Sequence, residues 1–96
     1  MSRREEILDR HGEAIRAAAL RHNVSSISLV GSVARGTDTG DSDCDFVCEF
    51  VPGATLLDLA GLELELMEIL GCEVDVASLA ALEPPYSSML EDAVAL

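Results

Sequence analysis

Gly31-Ser32-Val33-Ala34-Arg35-Gly36 and, a few residues on, Ser42-Asp43-Cys44-Asp45 form the stretch from which the rest of the chain can be read. Residues 26–30, Ser-Ile-Ser-Leu-Val, lead into it and read as a strand. Gly31 lets the backbone turn sharply at the end of that strand and approach a ligand closely. Ser32 opens a helical turn near residues 32–35, where N–H groups and a hydroxyl suit phosphate oxygens. Residues 43–50 read as a second strand with two unlike faces. Cys44, Phe46, Cys48 and Phe50 make an apolar face, and Asp43, Asp45, Val47 and Glu49 make the other. Two carboxylates two residues apart project to the same side, and a buried face would not tolerate them unpartnered.

Outward from this centre the chain alternates helix and strand. Residues 3–21 predict one helix, opened by the capping-box pattern Ser2-Arg3-Arg4-Glu5 and striped with Ile7, Leu8, Ala14, Ile15, Ala18 and Ala19. Pro52-Gly53 is a turn, and residues 55–70 predict a second helix capped by Thr55 and Asp58 and stopped by Gly71. Its apolar stripe is Leu59, Leu62, Leu66 and Ile69; its polar stripe holds Asp58, Gly61, Glu65 and Glu68. Residues 73–77 are a short strand that sets Asp75 opposite Val74 and Val76. A turn over 79–82 and a last helix over 85–93 complete the order α-β-turn-β-α-β-α. This is an α/β (α+β) arrangement: a small mixed sheet with helices on one face and Asp43, Asp45 and Asp75 on the other.

Composition narrows the function. Ninety-six residues predict a single domain, 1–96. Hydrophobic residues make up 49% but aromatics only 3%, so the core is aliphatic. No apolar run approaches the roughly 18 residues that cross a bilayer, and no apolar stretch follows Arg3-Arg4, which predicts a cytoplasmic chain without a signal peptide. Six arginines and no lysine face eighteen acids, a net charge of −12. The first 21 residues sum to +1, whereas residues 22–96 hold Arg35 against fourteen acids, or −13. Such a surface repels phosphate backbones and argues against direct nucleic-acid binding. Three cysteines without CxxC spacing suit a reducing compartment better than a disulfide scaffold or a zinc site. The acids that matter are then those able to hold a divalent cation: Asp43 and Asp45, with Asp75 completing the set, can bridge Mg²⁺ for in-line attack on an α-phosphate. His11 and His22 read as solvated surface, the acidic run Glu63–Glu68 as a solvated face or a partner-facing one, and Tyr86 as a packing residue.

The spaced pair of motifs resembles the DNA polymerase β-like nucleotidyltransferase superfamily, and more narrowly its minimal nucleotidyltransferase (MNT) antitoxins, whose pattern is GSxARG followed by SDxD. Leu62-Glu63-Leu64-Glu65-Leu66 and Val74-Asp75-Val76 are similar to that family's second helix and third strand. The resemblance implies an Mg-dependent nucleotidyltransferase. Gly31 and Ser32 would hold the triphosphate of ATP, and Asp43, Asp45 and Asp75 two Mg²⁺ ions. Asp75 would also help deprotonate the acceptor, while Arg35 is either a phosphate contact or a loop anchor. Family members often carry a second basic residue where this chain has Val33, which predicts a weaker hold on the triphosphate. The resemblance also implies transfer of AMP from ATP to a tyrosine of a partner HEPN ribonuclease, a toxin thereby silenced. An acceptor that docks itself suits a chain this small, and its acidic surface suits a basic partner. The alternatives are an antitoxin that neutralises by binding alone, and transfer to a small molecule.

Overall fold

The structure, a computed structural model, describes residues 2–38, 43–81 and 90–96. The N-terminal helical region is not one regular helix. A short α1 (Arg3–Glu5), with the Ser2 hydroxyl accepting from the Glu5 N–H at 3.2 Å, runs into a wide π-helical turn at Glu6–Arg10. A regular α2 (Gly12–Arg21) follows. The interruption has a packing reason. Ile7 and Ile15 lie eight positions apart, about 80° out of phase on a regular helix. The extra residue in the wide turn rotates them to within about 20°, and both become buried in the same core.

Strand β1 (Val24–Val30) starts two residues earlier than its pattern predicts, from Asn23, which has φ 60. The short α3 (Gly31–Arg35) and β2 (Cys44–Phe50) stand where the motifs place them. Helix α4 (Leu56–Leu70) carries the full capping box. The Leu57 N–H donates to Thr55 Oγ1 at 3.2 Å, and Asp58 Oδ2 accepts from the Thr55 N–H at 2.9 Å. It leads to β3 (Val74–Ser78) and a tight turn at Leu79–Ala81. Most of the last predicted helix, including Tyr86, lies outside the described residues. Its described end keeps one tight helical turn at residues 90–92, in which the Ala93 N–H donates to the Leu90 carbonyl at 3.2 Å, before the chain forms β4 (Val94–Ala95). A two-residue strand has too little alternation to register as one in sequence.

The four strands make one mixed sheet in the order β3-β2-β1-β4. β1 pairs antiparallel with β2 and β4; β2 and β3 are parallel, joined by the α4 crossover. Register aligns side chains in rows across the sheet. One row, Val94, Leu29, Phe46 and Val76, faces α2 and α4 and meets Ile15, Ala18, Leu62 and Leu66 in the core. Cys44 and Cys48 share this face, and burial pushes both thiols up to about 12, so both are neutral thiols, Cys48 as apolar filler. The opposite face is less polar than its sequence suggests: Val47 is only 5% exposed. Among the described residues no helix is long and apolar enough to cross a membrane.

Candidate active site

The sheet row Val30, Asp45 and Asp75 carries the site. Val30 ends β1, and Asp45 faces it across the antiparallel pair. Asp75 is the parallel partner of Asp45 on β3, so two carboxylates lie side by side on the open face. Asp43, exposed just before β2, is close enough to repel Asp45. Asp45 therefore holds its proton above the ordinary carboxylate range. Partial burial is the largest cause, followed by the charges of Asp75 and Asp43, and the Arg35 guanidinium pulls the other way.

The glycines of the first motif have separate mechanical reasons. Gly31 stands at φ +77, and a Cβ there would lie 2.6 Å from Asp45 Oδ2. The bare backbone at residue 31 is thus the wall against which the Asp45 carboxylate rests. Gly36, at φ 75, closes α3, with its N–H donating to the Val33 carbonyl at 3.1 Å. Between them Ser32 stays partly accessible in the first turn, while Val33 and Ala34 are buried in the core. The Val33 side chain thus packs inward. Arg35 sits half-exposed at the end of α3, its guanidinium 4.0 Å from Asp92 Oδ2.

The arrangement suits a hard divalent cation in its donor chemistry: clustered carboxylate oxygens, that of Asp45 raised in pKa by its burial and by the charges of Asp75 and Asp43. The described residues do not form a finished cage, since no three His, Cys, Asp or Glu side chains stand together closely enough to hold an ion. Mg²⁺ rarely uses such a cage; it binds through one or two carboxylates, substrate phosphates and water. Asp45 and Asp75 are the pair that the sheet brings together, and Asp43 approaches from the strand's start.

Two residues of the acidic run Glu63–Glu68 have work in the structure. Glu63 Oε1 accepts from the Val76 N–H at 3.2 Å, tying α4 to the outer edge of β3 beside Asp75. Glu65 pairs with Arg21 and stands 3.0 Å from His22 Nε2. Gly61 makes room for that ring: a Cβ there would lie 2.8 Å from His22 Cε1. A glycine in the middle of an otherwise good helix was the available signal.

A strand, a glycine-bounded turn of helix and a carboxylate pair on the next two strands define a polymerase β-like nucleotidyltransferase. The nucleotidyltransferase domain family matches residues 12–95, and the chain belongs to that family. Two relatives from Methanocaldococcus jannaschii are named protein adenylyltransferases. One is 45% identical over 65 residues, covering 68% of this chain and 70% of the relative. The other is 33% identical over 92 residues, covering 94% and 91%. A solved minimal nucleotidyltransferase superposes with a TM-score of 0.84 at 38% identity, over all of this chain and 97% of its own. A chain from a toxin–antitoxin crystal structure with AMP-PNP superposes with a TM-score of 0.69 at 22% identity, over 86% of this chain and 70% of that one. At that identity the likeness concerns the fold.

Proposed function

We propose that this nucleotidyltransferase is a protein adenylyltransferase: it transfers AMP from ATP to a tyrosine of a partner HEPN ribonuclease toxin and acts as its antitoxin. The observation that carries the reading is the row that sets Asp45 beside Asp75, with Asp45 pressed against the bare backbone of Gly31. Asp43, Asp45 and Asp75 would hold Mg²⁺, and Gly31 and Ser32 would face the triphosphate. Bound metal supplies charge neutralisation of the phosphates and activation of the attacking oxygen. The tyrosine oxygen forms a bond to the α-phosphorus as the bond to the bridging oxygen breaks. Pyrophosphate leaves, and Asp75 would take the phenolic proton. The names of the relatives and the toxin–antitoxin setting of one fold neighbour support this reading.

One observation favours a second reading, in which the chain neutralises its partner by binding alone. Arg35, the cation of the site, is directed at Asp92. Intact mass spectrometry decides between them. The protein encoded beside this one is incubated with the chain, ATP and Mg²⁺, in parallel with an Asp43→Asn, Asp45→Asn double variant. Addition of whole AMP units by the native chain alone supports transfer. An unmodified partner in a tight complex supports binding alone.

A further inference from the structure

Cys44 and Cys72 are free thiols 28 positions apart in sequence, yet their sulfurs lie 3.4 Å from each other. Strand pairing brings them there: the Cys44 N–H donates to the Glu73 carbonyl at 3.1 Å, so residue 72 arrives over the Cys44 side chain. The Arg3 guanidinium donates to both sulfurs, at 3.0 Å and 3.4 Å. A cavity of about 160 Å³ between this pair and Ile7, His11 and Leu70 opens to solvent. Cys44 is buried at its back, and Cys72 is half-buried. Cys48, four residues along β2 from Cys44, is fully buried and does not line this cavity.

The geometry points to Cys44–Cys72 as a reversible oxidation site, closed to a disulfide by a small peroxide entering this cavity. The Cys72 sulfur attacks the peroxide O–O bond, leaving a sulfenic acid and releasing one hydroxide, which becomes water with the thiol proton. The Cys44 sulfur then displaces the second hydroxide, which leaves as water with the Cys44 proton. Two thiols and one hydrogen peroxide thus give one disulfide and two waters. The sulfurs need to close by about 1.4 Å, within reach of side-chain rotation. The bond ties the start of β2, between Asp43 and Asp45, to the turn that enters β3 ahead of Asp75.

The test uses the whole chain without metal or nucleotide, so its outcome is independent of any transfer activity. The native protein is titrated with hydrogen peroxide and analysed by intact mass and by non-reducing peptide mapping. The expected product is monomeric, about 2 Da lighter, with Cys44 linked to Cys72. Its Tm should rise by on the order of 10 °C, and dithiothreitol should reverse both changes. Cys72→Ser, at a half-buried turn position, should abolish the mass loss. A link through Cys48, a dimer through Cys72, or Cys72 passing to sulfinic acid with no link would overturn the proposal. So would a Cys44–Cys72 link that leaves Tm unchanged. Because mapping of the native chain assigns the pair by itself, the result does not depend on a variant folding.

Discussion

Asp45 carries a conflict that stability measurements can read. Its carboxyl titrates higher in the folded chain than the ordinary value of 3.8, because of burial, Asp75 and Asp43. The folded state therefore binds more protons than the unfolded state just above that value, and stability falls as pH rises through this window. Asp45→Asn removes the conflict. It should raise Tm by roughly a few degrees at neutral pH, and the gain should vanish below the ordinary aspartate range; calorimetry across pH checks this. The same change should cut AMP transfer by more than about 100-fold, beyond what loss of a supporting contact causes. Gly31→Ala makes the complementary case. It meets both a left-handed backbone and the Asp45 oxygen, so a loss of about 1–2 kcal/mol for the backbone alone is expected in denaturant titration. The motif residues were legible because their spacing has a chemical meaning. The Gly31–Asp45 contact was not, because it depends on the β1–β2 register.

Among the elements, α4 supplies two separable tests. The Thr55–Asp58 box sits at an exposed helix start. Thr55→Ala should cost about 1 kcal/mol, seen as a Tm drop of roughly 4–8 °C with transfer unchanged. Glu63 binds the edge of the strand that bears Asp75. Glu63→Ala should lower both Tm and transfer, and Glu63→Gln, which keeps the accepting oxygen, should restore much of each in paired assays. Helix α4 was legible down to its cap because amphipathic period and capping chemistry agree. The N-terminal helix was legible only in outline: the wide turn at Glu6–Arg10 answers the tertiary demand that Ile7 and Ile15 share one core. β4 is too short to carry a pattern, and its pairing with β1 is entirely non-local.

For the molecule as a whole, the charge sum of −12 and the carboxylate row act together. Mg²⁺ with a non-hydrolysable ATP analogue should raise Tm progressively with concentration, by mass action on the folded state. The Asp43→Asn, Asp45→Asn variant should show little of this rise in thermal shift measurements. If the partner is basic, its complex should weaken steeply between low and high salt, mainly through slower association. An affinity independent of salt would argue for an apolar interface instead.

The contact between the Gly31 backbone and the Asp45 oxygen also has a historical meaning. A copy of this fold still under demand for its chemistry has no freedom at position 31, since any side chain there displaces the carboxylate. A copy relieved of that demand loses the constraint at 31 and 45 together, while the core row through Leu29, Phe46 and Val76 still has to be kept. Decay of the enzyme into a mere scaffold would thus be written first as paired drift at these two positions, with the sheet behind them intact.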